Sequence, residues 1–364
     1  LFGIGLSRAP EGEARALIEA VNTQAAPVFA LDVPSGVDAD RGSAPGAAVL
    51  ATRTLQFIVR HVGLHTGDAL EYTGQLALEE LDVPGESFEG VPADAALLDH
   101  DALVQWLLPR RRNTHKGESG HVLCVGGDEG SGGAIALCAE AALRAGAGLV
   151  NVATRPAHVP ALLARRPEAM VRAVESTDDL VPMVARARVV AVGPGLGQGE
   201  WGQALFQHAL RSGLPLVVDA DALNLLSAAA QPLEDAVLTP HPGEAARLLA
   251  CTVADVQRDR VGAAQAIAQR YAAVVVLKGA GTVVASGQAT RIVAAGNPGM
   301  AVGGMGDLLT GIIASLRAQG LSAFDAASAG ALLHGLAGDA AAWDGERGLL
   351  PSDLLPHVRR LANP

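Results

Sequence analysis

From residue 121 onward the chain repeats one pattern: a short apolar run, a loop rich in Gly, Asp, His or Lys, then a helical stretch. The apolar runs are His121–Val125, Leu149–Ala153, Val189–Val192, Leu214–Val218, Ala236–Leu238 and Ala273–Leu277. They are continuously apolar rather than alternating, as strands buried on both faces are. Between several of them lie helical segments such as Ala134–Ala145, which Gly146 and Gly148 stop. This alternation predicts an α/β fold with a parallel sheet covered by helices on both faces. In such a sheet, ligands bind at the carboxyl ends of the strands, so the loops after these runs are where chemistry is expected.

The first 90 residues carry weaker β/α signals. Glu13–Val21 predicts a helix, and Val28–Pro34 and Thr54–Val59 predict strands. Asp82–Ala95, with Pro84, Gly85, Gly90 and Pro92, reads as a linker. At 364 residues the chain is long enough for two domains, placed here at residues 1–92 and 97–364. The opening Leu1-Phe2-Gly3-Ile4-Gly5-Leu6 reads like a strand end running into a turn, as if the sequence began inside a domain.

Bulk properties exclude several classes of function. The net charge of −11 argues against a general nucleic-acid partner. No apolar run is long enough to span a bilayer and no signal peptide is visible, so the expected location is cytoplasmic. Cys124, Cys138 and Cys251 show no metal or CxxC spacing and read as buried or neutral thiols. With 3 % aromatics, Ala, Val, Leu and Gly must fill the cores.

The densest motif is Asn297-Pro298-Gly299-Met300-Ala301-Val302-Gly303-Gly304-Met305-Gly306-Asp307, which opens an apolar helix over Leu308–Leu316. Free amides at a helix start bind anions, and glycine lets a phosphate come close. A carboxylate there repels an anion. Asp307 is therefore either a helix cap or a base for proton abstraction, and the glycines before it favour the base.

The remaining motifs each keep two readings. Lys278 in Lys278-Gly279-Ala280-Gly281-Thr282 ends a strand and reads as a phosphate contact or a solvated lysine. His241 in Thr239-Pro240-His241-Pro242-Gly243-Glu244 sits in a proline-stiffened loop, as a ligand contact or a turn residue. Asp219 and Asp221 in Asp219-Ala220-Asp221-Ala222-Leu223-Asn224 could bind Mg²⁺ through water or cap the next helix. Gly193-Pro194-Gly195-Leu196-Gly197 and Gly126–Ala134 are glycine-rich turns that match neither GxxxxGK[ST] nor GxGxxG. Five such loops at strand ends of one sheet argue together for one ligand site.

As an ordered series, HKGxxG at His115, GPGLG at Gly193, DADALN at Asp219, TPHPGE at Thr239, KGAGT at Lys278 and GGMGD at Gly303 resemble the carboxy-terminal domain of the NAD(P)H-hydrate repair family. The resemblance runs from about Asn113 to Ala341 and implies a ribokinase-like dehydratase domain that uses ADP or ATP with Mg²⁺. It implies that Asp307 is the base and that Gly303, Gly304 and Gly306 offer amides to the transferring phosphoryl group. It further implies that Lys278, Gly279, Ala280, Gly281 and Thr282 hold the AMP part, and that Ala134, Gly197, His241 and Asp307 line the NAD(P)H-hydrate site. Met305 departs from the Ser or Thr usual in the family.

Gly3-Ile4-Gly5-Leu6-Ser7-Arg8-Ala9, Leu31–Gly36 and Gly63–Gly67 resemble the end of the same family's Rossmann-like epimerase domain. That resemblance implies that Gly3, Ile4, Gly5, Leu6, Ser7, Arg8, Ala9 and Asp32 contact the hydrate and that Ser35 helps bind K⁺. Read from its residues alone, Asp32 is a strand-end Asp capping the Pro-Ser-Gly turn. The family's substrate loop and an acidic K⁺ ligand are expected upstream of Leu1, so the epimerase part is read as partial and not active by itself. The family also implies a homo-oligomer. A vitamin-precursor kinase of the same fold, and a nucleotide sensor without turnover, are the alternatives. A stable phosphorylated product would mark the kinase, and an indifferent Asp307→Asn variant the sensor.

Overall fold

The computed structural model describes residues 1–6 and 8–364; Ser7 lies outside the described residues. The described residues build two sheets. The smaller is parallel throughout, with β1 (Phe29–Leu31), β2 (Arg53–Phe57) and β3 (Gln75–Glu79) in sequence order. Its core is small: Val33, Val37, Ala39, Ala48, Leu64 and Ala69.

The larger sheet has ten strands. In chain order they are β4 (Ala96–Leu98), β5 (His121–Val125), β6 (Leu149–Thr154), β7 (Met170–Ala173), β8 (Val189–Val192), β9 (Leu216–Val218), β10 (Ala236–Leu238), β11 (Val274–Leu277), β12 (Thr282–Ala285) and β13 (Thr290–Val293). Across the sheet the order is β4-β13-β12-β11-β10-β9-β8-β5-β6-β7. Every pairing is parallel except those of β12 with its two neighbours. The expected α/β class is therefore observed, with one antiparallel strand near an edge.

The continuous apolar runs are explained by two cores. Along β5, Val122 and Cys124 face one core while Leu123 and Val125 face the other. β8 and β11 alternate in the same way. One face is covered by helices Gly132–Arg144, Met305–Ala318, Ala323–Ala341 and Pro351–Leu361, and the opposite face by Glu200–Arg211, Ala220–Ala228, Pro242–Leu249 and Arg260–Tyr271. Strands buried on both faces need no polar alternation, which is what the sequence shows.

The sequence reading missed β3, β4, β7, β12 and β13. Each is three to five residues long and lies at or near a sheet edge, where tertiary pairing rather than a long apolar run makes the strand. β12 also corrects the reading of the KGAGT loop. Thr282 is already the first residue of a strand, and Lys278–Gly281 is the tight turn between β11 and antiparallel β12. No helix among the described residues is long and apolar enough to cross a membrane.

Candidate active site

The sheet order places β11, β10, β9, β8 and β5 side by side and parallel. Their carboxyl ends share one edge, so the five loops singled out in the sequence emerge together. Asp219 follows β9 and is 1 % exposed. Its Oδ1 accepts a hydrogen bond from Lys278 Nζ at 2.7 Å, and its Oδ2 accepts one from Thr310 Oγ1 at 2.9 Å. It makes no cap to the helix that follows it. Lys278 is thus not a solvated strand-end lysine. Its side chain is 20 % exposed, paired with Asp219 and 3.8 Å from Glu244 Oε2.

The helix Met305–Ala318 approaches this ion pair with its amino end. Gly304 is its N-cap, with φ 99°, a left-handed conformation that disfavours any side chain. A Cβ there would also press against Leu137 and Pro351. No side chain caps this helix, so the cap reading of Asp307 does not hold. The Met305 amide turns back to the Val302 carbonyl at 3.4 Å, while the Gly306 and Asp307 amides have no main-chain partner among the described residues and leave the positive end of the helix beside Lys278. Gly303 is exposed with nothing around it, and a Cβ on Gly306 would lie 3.0 Å from Lys278 Nζ. Met305, the departure from the family pattern, turns into the core and is buried.

Asp307 stands three residues into that helix, and its carboxyl is pushed up to about 7. Burial is the largest cause, and the negative charges of Asp219, Asp221 and Glu244 add to it, while Lys278 opposes them. Asp219 itself is held below the usual carboxylate range: burial pushes it up, but Lys278 and its hydrogen bonds prevail. Lys278 is held above its usual value, because its acidic neighbours outweigh burial. A carboxylate poised near neutrality beside a cation and free amides can take a proton while an anion is bound next to it.

The expected hydrate-lining residues reach this centre through short links. Gly197 donates its amide to Asp221 Oδ2 at 2.8 Å. Ala134 packs against Gly195 of the same loop. His241 caps the helix Pro242–Leu249, with Nδ1 accepting from the Gly243 amide at 3.0 Å, and its own amide donates to Glu244 Oε2 at 2.8 Å. Three groups escaped the sequence reading. Glu244 lay inside a quoted motif without a role. Asp128 sits beside Gly197 and is paired with Arg155 at 2.7 Å. His334, from the helix Ala323–Ala341, is buried with Nε2 unpartnered among the described residues. Burial first and Lys278 second push His334 down to about 4, so this wall of the site is a neutral imidazole. No spacing in the sequence links His334 to the loops, because only helix packing brings it there.

Among the described residues no three His, Cys, Asp or Glu side chains converge as a metal cage. Both oxygens of Asp219 are already used, and Asp221 takes the Gly197 amide.

In the smaller unit, Asp32 has φ 66° and does not cap the following turn. Its Oδ1 accepts from the Phe57 amide at 3.2 Å and lies 2.9 Å from His61 Nε2. Ser35 Oγ lies 2.8 Å from the Leu1 nitrogen, accepts from the Phe2 amide at 3.0 Å, and donates to the Phe2 carbonyl at 3.2 Å. Gly5, Leu6, Arg8 and Ala9 border a cleft of about 290 Å³, and Gly3 and Ile4 are exposed beside it.

Comparison with known proteins agrees with this architecture. A family model described as NAD(P)H-hydrate dehydratase matches residues 122–360, and one described as YjeF-related protein N-terminus matches residues 1–63. The chain is 48 % identical to the bifunctional NAD(P)H-hydrate repair enzyme Nnr of Coxiella burnetii, over 100 % of this chain and 75 % of that relative. It is 47 % identical to Nnr of Escherichia coli, over 100 % of this chain and 71 % of that relative. Among solved structures, the ADP/ATP-dependent NAD(P)H-hydrate dehydratase of Bacillus subtilis, co-crystallised with ATP and Mg²⁺, superposes with a TM-score of 0.66 at 29 % identity, covering 74 % of this chain and 98 % of the other. A hydroxyethylthiazole kinase from Pyrococcus horikoshii, at 16 % identity, shares the fold alone. The chain belongs to the family of bifunctional NAD(P)H-hydrate repair enzymes.

Proposed function

We propose that this protein dehydrates NAD(P)H hydrate to NAD(P)H at the expense of ADP or ATP. The single observation that carries the reading is Asp307, poised near neutrality at the amino end of a helix and flanked by Lys278. In the proposed reaction Asp307 accepts the proton of the hydrate's hydroxyl as the hydroxyl oxygen attacks the terminal phosphoryl group, breaking its anhydride bond so that AMP leaves from ADP, or ADP from ATP. The amides at Gly303, Gly304 and Gly306 stabilise charge on the transferring group. Phosphate is a better leaving group than hydroxide, and the ring nitrogen's lone pair expels it. Loss of a neighbouring proton then restores the double bond. Lys278 to Thr282 are assigned to the AMP part, and Ala134, Gly197 and His241 to the hydrate.

A Mg²⁺ ion accompanying the nucleotide would keep several waters, take phosphate oxygens and at most one or two carboxylates such as Asp221, and would neutralise charge there. In the smaller unit, Asp32 and Ser35 are assigned to the epimerase substrate and to K⁺. The left-handed backbone at Asp32 supports a functional position, since strain of this kind collects at sites. The division at residues 1–92 and 97–364 is supported by two sheets that share no strand.

The test is direct. Hydrated NADH in its S form, Mg²⁺ and ADP or ATP are mixed with the protein, and NADH absorbance is followed. Recovery that requires nucleotide is expected. Absence of NADH with both nucleotides, from folded protein, would reject the reading in favour of the kinase alternative.

The pH dependence follows from the same base. A carboxyl raised to about 7 is protonated below that pH, so kcat/KM for the hydrate is expected to rise as pH increases through about 7. Because Asp221 is one of the charges that raise it, Asp221→Asn should move this limb to lower pH. A limb unmoved by that change would sever the proposed link between the two groups.

A further inference from the structure

The nucleotide turn is held from outside its own unit. Thr66 belongs to the Gly63–Gly67 segment of the smaller unit and is fully buried. Its hydroxyl donates to the Gly281 carbonyl at 2.7 Å. The next amide, of Gly67, donates to the Ala280 carbonyl at 3.1 Å. Gly281 has φ 61°, and a side chain there would run into the His65 carbonyl and Thr66 Cα. The two segments therefore meet backbone to backbone, and glycine is required for that approach.

Arg260 locks the junction. It is 1 % exposed and opens the helix Arg260–Tyr271. Its Nε donates to Thr66 Oγ1 at 3.1 Å, and Nη2 to the carbonyls of Leu277 at 3.3 Å and Lys278 at 3.2 Å. Nη1 donates to Gln257 Oε1 at 2.7 Å. These partners are a hydroxyl, an amide oxygen and two main-chain carbonyls, not a carboxylate. Burying a guanidinium against neutral acceptors is costly and contributes little net stability. What it does achieve is a fixed direction for the backbone at the end of β11, where Lys278 leaves the strand.

We infer that Thr66 and Arg260 are positioning residues for the nucleotide turn, so that the smaller unit forms part of the dehydratase's nucleotide site. The inference rests on the reading of Lys278–Thr282 as that site. Neither residue touches the reacting groups; both act through the turn's backbone. Loss of the Thr66 hydroxyl should therefore fall on nucleotide binding and leave the hydrate chemistry nearly intact.

The test uses the whole chain. Thr66→Val is expected to raise KM for ADP about tenfold, with kcat changed by less than about threefold. Thr66→Ser, which keeps the hydroxyl, should restore the wild-type KM. Arg260→Lys keeps the charge but not the fork of donors, and should raise KM for ADP in the same way. A variant that is less stable but has an unchanged KM would overturn the inference, because that is the signature of a purely structural contact. Hydrogen exchange on the unmodified protein covers the case in which the variants fail to fold. ADP is expected to protect residues 278–282 and also residues 61–67. Protection of the first segment without the second would overturn the positioning role and leave the nucleotide site standing. ADP that protects neither segment would remove the nucleotide reading itself, and this inference with it.

Discussion

Asp307→Asn is expected to lower the rate of hydrate dehydration by about 10²- to 10⁴-fold, the usual worth of a positioned general base. The substitution preserves size and the helix start but removes basicity. The neighbouring acids are engaged, Asp221 with the Gly197 amide. Asp219 is committed to Lys278 and Thr310, and Glu244 to the His241 amide. His334 is buried and pushed down to about 4, and it bonds the Met305 backbone rather than reaching the space beside Asp307. ADP binding should hold or tighten, because a negative charge disappears beside a site for phosphate. Single-turnover NADH formation measures the first effect and calorimetry the second. If turnover fell less than tenfold, or if ADP binding collapsed with it, Asp307 would be a structural or anion-site residue and the mechanism above would fail.

Asp219→Ala is expected to destabilise the protein by about 3–5 kcal/mol, the range for breaking a buried ion pair from one side. Asp219 joins three elements: β9, the turn after β11 through Lys278, and the catalytic helix through Thr310. Its loss strands a lysine whose remaining acidic partner, Glu244, is 3.8 Å away, and orphans the Thr310 hydroxyl. The penalty is for an uncompensated charge, so Asp219→Ala combined with Lys278→Met should recover part of it. Denaturant unfolding compares the three proteins. A double variant no more stable than Asp219→Ala would show that packing, not charge, sets the cost.

The two predictions bear on different links. Asp307 was legible in the sequence because glycines crowd before it and an apolar helix follows, a local pattern within ten residues. Asp219 was legible as a residue of interest but not in its role. Its spacing from Asp221 suggested a metal or a cap, whereas its partners lie 59 and 91 residues away. Separations of that size carry no periodic signal. Thr66 and Arg260, 194 residues apart, show the same limit more sharply. Arg260 sits in a helix with little to mark it, and its partners in the turn after β11 and in the smaller unit meet it only in the folded chain.

The sequence by itself determined the α/β class, the strands of the sheet centre and the set of loops at their ends. Those strands are buried on both faces, so burial writes itself into a continuous apolar run. Glycine, proline and acidic residues then mark the points where the backbone must turn or approach a ligand. Only the tertiary structure decided the strand order, the edge strands and the charge state of the site. Edge strands form because a neighbour offers hydrogen bonds, not because their own residues demand it. The protonation of Asp307 depends on how deeply it is buried and on which carboxylates face it across the sheet edge, and those distances exist only once the chain has folded.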